Sequence, residues 1–148
     1  MNRVNLISIG VRDMAKSLEF YKKIGFQTFE KEKNPLIVFF NNEGSKLELY
    51  PIEKLAEDIN EKNPPKLSTG GFCGITFACN LKSEEEVDAF LELVERSGGT
   101  IAKKAERVFW GGYSGYFQDP DGYYWEAAYG PHWEFDENNM LIIKDETV

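Results

Sequence analysis

The sequence predicts an α+β fold in which two βαβββ repeats form a curved mixed sheet around a central cleft. Three observations carry that expectation. The order strand, helix, three strands can be read twice along the 148 residues. Each helix opens on a capping residue and closes on glycine. The last strand of each half carries a glutamate four residues after a turn glycine, Gly44 to Glu48 and Gly122 to Glu126, and Pro51 and Pro131 close the two strands.

In the first half, residues 4–11 (VNLISIGV) are β-branched and apolar and read as a strand. Ile7, Ile9 and Val11 share one face; Leu6, Ser8 and Gly10 share the other. Asp13 is the N-cap of a helix whose Met14, Leu18, Tyr21 and Ile24 make one buried stripe, and Gly25 ends it. GFQTFEKE, LIVFFNN and SKLELYP read as three further strands, the last two joined by a tight turn at residues 41–44. In the second half GFCGITFAC reads as a strand. Ser83 and Glu86 form a capping box, and Val87, Phe90, Leu91 and Val94 make the helical stripe that Gly98 and Gly99 end. Strands are expected at residues 100–104, 112–117 and 122–129. Residues 1–148 thus read as a single domain: a first module at 4–51, a linker at 52–71 that opens on a short helix, a second module at 72–131, and an acidic tail at 132–148 with one strand at 140–143.

Composition narrows the partners. Apolar residues make up 42% of the chain and aromatics 14%, enough for a real core. A net charge of −8 with no basic cluster argues against nucleic acid and against an anionic membrane surface. No stretch approaches the roughly 18 apolar residues of a membrane span, and the N-terminal apolar run is broken by Asn5, Ser8 and Arg12, so a cytoplasmic protein is expected. Cys73 and Cys79, read on one strand, stand about 20 Å apart. They are expected to be two buried thiols, out of disulfide reach.

Side-chain parity points to the site. Leu47 and Leu49 take the helix side, so Glu48 points into the cleft. Tyr124, Glu126 and Ala128 share a face opposite Tyr123, Trp125 and Tyr129, and repeat symmetry sends Glu126 into the same cleft. Trp125 is read as core. Trp110, in the Gly-flanked loop VFWGGY, is a candidate contact residue, as is Tyr113.

The segments ISIGVRDMAKSLEFYKKIGF, GSKLELYP and FQDPDGYYWEAAYGP resemble the vicinal oxygen chelate superfamily of glyoxalases, bleomycin resistance proteins and extradiol dioxygenases, over residues 4–131. The last is the most specific, and WGGYSGYF before it resembles a glyoxalase-like branch of that superfamily. The resemblance implies the glyoxalase/bleomycin resistance/dioxygenase fold and four metal-ligand positions on the first and last strands of the halves. Here these fall at Leu6, Glu48, Gly74 and Glu126. Leucine and glycine offer no ligand atom, and two carboxylates fall short of the three protein ligands a catalytic ion needs, so no metal and no other cofactor is expected. His132, the one histidine, lies past the last strand and reads as a rim residue.

The two glutamates then have three readings: anchors for a small organic ligand, with Tyr124, Trp110 and Tyr113 stacking on it beside Leu6 and Gly74; general bases; or acids held by tyrosine hydroxyls or water in a protein that binds nothing. The first is favoured, giving a small-molecule-binding protein. The alternative is a lyase, isomerase or dioxygenase using Glu48 and Glu126 with an atypical metal site or in acid–base chemistry, where Arg107 and Lys46 are the candidate cations to steady negative charge. The resemblance also implies a homodimer. The sequence leaves open whether the modules pair within one chain or swap between two.

Overall fold

The alternating run LISIGV forms β1 (Leu6–Val11), and the Asp13 side chain starts α1 (Met14–Lys23) by accepting the Lys16 N–H at 3.0 Å. The helix stops at Gly25, whose φ of 112° is open to glycine and strained for other residues. Then come β2 (Val38–Phe39), β3 (Lys46–Pro51) and α2 (Ile52–Ile59). The second half supplies β4 (Thr76–Leu81), α3 (Glu84–Arg96), β5 (Thr100–Arg107), β6 (Tyr113–Gln118) and β7 (Tyr124–Tyr129). Ser83 caps α3 by accepting the Glu86 N–H at 3.1 Å. The structure is a computed structural model and describes residues 1–145. Its strands form a three-stranded sheet, β1-β3-β2, and a four-stranded one, β4-β7-β6-β5, each mixed because its first strand pairs parallel to its last.

Four expected strands change, and LIVFFNN keeps only Val38–Phe39. GFQTFEKE stays outside the first sheet. Thr28 donates its hydroxyl to the Phe39 carbonyl, and the Glu30 carboxylate takes the N–H groups of Lys31 and Glu32. Such local side-chain bonds offer the backbone an alternative to a ladder. β4 begins at Thr76, because Gly71 and Gly74 turn the chain at φ 88° and 82°. Cys73 therefore lies outside the strand and is exposed, contrary to the expected buried pair, while burial pushes the Cys79 thiol up to about 11. The tail strand shrinks to one bridge between Phe135 and Leu141.

One core serves both sheets. Ile9, Val11, Leu47 and Leu49 from the first enter the same buried cluster as Phe117, Trp125 and Ala127 from the second, with Phe20 and Tyr21 of α1 and Val87, Leu91 and Val94 of α3. The Tyr21 ring lies 5.7 Å from Phe40 and 5.9 Å from Trp125, and Phe26 lies 5.8 Å from each of the same two rings. The sheets therefore face each other through their helix-bearing sides. The question the sequence left open is thereby answered for the single chain: the Glu48 and Glu126 faces do not meet across a cleft inside it. The reason is energetic. Each buried aromatic removes about 150–250 Å² from water, which at about 25 cal/mol per Å² amounts to several kcal/mol, whereas burying two carboxylate faces against each other carries a desolvation cost.

The Asp119-Pro120-Asp121-Gly122 turn latches the halves together. Asp119 accepts the N–H groups of Asp121 and Tyr123, both at 2.9 Å, on one oxygen and the Tyr21 hydroxyl at 2.5 Å on the other. Asp121 accepts the Arg12 N–H at 2.8 Å and the Ser17 hydroxyl at 2.7 Å, and the Tyr123 hydroxyl donates to the Gly10 carbonyl at 2.8 Å. Burial pushes the Asp119 carboxyl up to about 6, and the Asp121 charge adds to it; the bonds from Tyr21 and the backbone oppose the rise. A carboxyl whose pKa is raised on folding favours the native state fully below its unfolded value near 4, and that contribution is lost as pH climbs through 6. The stability of the protein relative to Asp119→Asn is therefore expected to fall by about 2 kcal/mol between pH 4 and pH 7 in urea titrations; a flat difference contradicts it. Tyr21→Phe is expected to lose about 2 kcal/mol at pH 7 in the same assay.

Candidate functional site

β7 turns Tyr124, Glu126 and Ala128 away from the core, while Trp125 and Ala127 enter it. Cross-strand register puts Ala78 of β4 on one side of Glu126 and Tyr116 of β6 on the other. Burial, and then the Glu126 charge, raise the Tyr116 phenol above its ordinary value. The neighbouring rung is small, with Ser114 opposite Ala128.

Aromatic groups flank this floor. At one end a Cβ on Gly112 would meet the Trp110 ring at 1.8 Å and one on Gly130 would meet the Trp133 ring at 2.6 Å. Trp110 and Trp133 stack there at 5.4 Å with 21° between their planes. At the other end Phe72 meets Tyr124 edge-on at 5.7 Å. The result is a carboxylate and a phenol side by side, with Ser114 and Ala128 buried at the tryptophan end and a tyrosine–phenylalanine pair at the other.

Glu48 occupies the matching place in the first sheet. It is only 6% exposed, it accepts the Ser8 hydroxyl at 2.6 Å, and Phe39 is its partner on β2. Leu6 lies on the same face, two residues before Ser8. A Cβ on Gly10 would meet Ile52 at 2.8 Å, so α2 covers one end of this face. Glu48 and Glu126 thus lie on separate outer faces with the shared core between them.

The other expected site residues separate. Tyr113 lies on the helix side and donates its hydroxyl to Asp88 of α3 at 2.8 Å. Gly74 precedes β4. The parallel pairing matches the Leu6 to Lys46 rung with the Thr76 to Tyr124 rung, so the repeat mate of Leu6 is Thr76. Arg107 pairs with Glu84 at 3.1 Å, and Lys46 bonds the Asn42 carbonyl, so neither reaches the floor around Glu126. His132 is exposed beyond β7. The sequence reading missed Tyr116, Thr76, Phe72 and Trp133. Tyr116 was within reach of it, because the hairpin turn centred on residues 120–122 places it opposite Glu126.

The donor set does not suit a divalent ion. Leucine and threonine hold the first-strand positions, each face carries one of the two glutamates, and among the described residues no three His, Cys, Asp or Glu side chains come together to hold a metal. Among the described residues no helix is long and apolar enough to cross a membrane. With the Glu126 charge gone, the Tyr116 phenol titrates at lower pH. Glu126→Gln is expected to show this as an earlier tyrosinate absorbance step, and an unchanged titration would separate the two groups.

Comparison with known proteins agrees with this architecture. The family model described as the Glyoxalase/Bleomycin resistance protein/Dioxygenase superfamily matches residues 3–127. A glyoxalase-related enzyme from Fulvimarina pelagi is similar at 28% identity and a TM-score of 0.86, over 98% of this chain and 100% of that one. A glyoxalase/bleomycin resistance protein/dioxygenase from Nocardioides has 21% identity and a TM-score of 0.71, covering 89% and 85%. A lactoylglutathione lyase from Agrobacterium tumefaciens has 23% identity and a TM-score of 0.66, covering 91% and 98%. At those last two identities the likeness speaks for the fold alone. Among curated proteins none matches this chain. With the family model spanning both halves and the fold shared with these structures, the chain belongs to the glyoxalase/bleomycin resistance protein/dioxygenase superfamily.

Proposed function

We propose that this protein binds a small organic molecule on the Glu126 face and does so without a resident metal. The observation that carries the reading is the pairing of Glu126 and Tyr116 between two aromatic groups. Such a face takes a flat ring against the tryptophan plate and a hydrogen-bond donor or positive charge against the carboxylate. The net charge of −8 favours a cationic ligand over an anionic one. An exposed, unpaired Cys73 suits a reducing compartment and supports a cytoplasmic location.

The working form in this reading is a homodimer. Each glutamate face is half a cleft, and each shows apolar side chains to solvent: Leu6 at 41% and Phe39 at 54% around Glu48, Phe72 at 63% and Trp110 at 43% around Glu126. A second copy, swapped so that its Glu48 face closes the Glu126 face, buries both sets. A second reading, an enzyme of the lyase, isomerase or dioxygenase type, is favoured by the similarity to a glyoxalase-related enzyme and by the Tyr116 phenol beside Glu126, a pair that can hold and pass a proton.

A thermal-shift screen of cationic and neutral heteroaromatic metabolites tests the binding reading. Hits are expected to weaken about tenfold or more in Glu126→Gln, or about 1.4 kcal/mol; no hits, or hits that ignore the substitution, would sink it. Stoichiometric zinc, nickel, iron or manganese in protein purified without chelator favours the enzyme instead. Light scattering after size exclusion is expected to return twice the chain mass, and Phe39→Glu is expected to return one chain mass. A wild-type monomer at micromolar concentration removes the dimer from the account.

A further inference from the structure

A recess of about 860 Å³ opens between the two sheets beside the shared core and along the edge of β4, and Glu126 itself does not line it. All of residues 76–82 border it. Successive residues of a strand point to opposite faces, so a consecutive run borders one cavity only where the cavity follows the strand's edge. β4 is the outer strand of its sheet and pairs with β7 on one side alone. The N–H and C=O groups of its other edge therefore alternate along the recess without a strand partner. The remaining walls are mainly apolar, with Ile7 and Leu47 of the first sheet, Phe26 and Trp125 behind, and Met140 and Leu141 of the tail, and Asn42 and Ser45 among them. The Trp125 indole N–H is buried beside the Tyr21 hydroxyl.

We propose that this recess binds a neutral, mainly apolar small molecule whose amide-like edge hydrogen-bonds to β4. The volume lies in the range of about 300–1,000 Å³ that holds a small organic ligand. A secondary amide presents a donor and an acceptor side by side, which is what an open strand edge alternates. The rim sets the charge. Glu43 and Glu86 stand there against the single ammonium of Lys82, so the rim is net negative and disfavours an anion. The recess follows the edge of β4 and neither Glu126 nor Tyr116 lines it, so either proposal can fail while the other stands.

The test titrates N-hexylhexanamide into isotope-labelled protein and follows backbone and indole N–H resonances. Saturable shifts are expected at residues 77–81 and at the Trp125 indole, with one molecule bound per chain. Met140→Trp narrows the recess from the tail, where Met140 is 41% exposed and tolerant of change. It is expected to weaken binding about tenfold or more. Ile7→Phe narrows it from the β1 wall and is expected to do the same, while Glu126→Gln leaves binding unchanged. Shifts centred on Ser114 and Tyr116, equal binding of the anion dodecanoate, or no saturation at the solubility limit would each overturn the proposal.

Discussion

The hydrogen bond from Tyr21 to Asp119 ties the two halves of this protein together at the turn that latches them. Tyr21 is fully buried, touches rings from both sheets, and ends on a carboxylate that in turn holds the hairpin before β7. A buried acid is costly unless its oxygens are satisfied. Asp119 meets that demand with two backbone N–H groups and one phenol, so the turn, the helix and the sheet are set by one group. The register of β7 follows, and with it the side of the sheet on which Glu126 emerges.

That constraint decides which surfaces remain for function. Once the helix-bearing faces share a core, the opposite faces are left for ligands or for another copy of the chain. The two faces have diverged. On the first, Ser8 satisfies Glu48 and α2 covers one end, leaving a carboxylate that is buried and already bonded. On the second, Ala78 and Ala128 leave space on two sides of Glu126 while Tyr116 and Tyr124 flank it on the others, and glycines at 112 and 130 make room for a stacked tryptophan pair. Equivalent positions in a duplicated fold thus carry unequal chemistry, and the proposed ligand site rests on the second alone.

Much of the fold was legible from residue patterns. Alternation in LISIGV and KLELYP assigned core and outer faces correctly, as did the placement of Trp125 in the core, because side-chain parity in a strand is a local property. The caps at Asp13 and Ser83 were equally local. The missed elements depended on competition. GFQTFEKE has strand composition but meets Glu30, whose carboxylate captures nearby N–H groups. GFCGITFAC is interrupted by a glycine held at positive φ, which moves β4 and changes the repeat mate of Leu6 from Gly74 to Thr76.

The sequence by itself determined the repeat and the side of each strand on which its glutamate lies, since both follow from spacing along the chain, and its motifs carried the resemblance to the family. Only the tertiary structure decided which faces of the two sheets pack together, and therefore that Glu48 and Glu126 sit apart and that a recess opens along β4. That choice depends on how much apolar area each face brings to a shared core. Tyr21, Phe26, Phe40 and Trp125 come from four separate segments, and no local pattern shows that their rings meet.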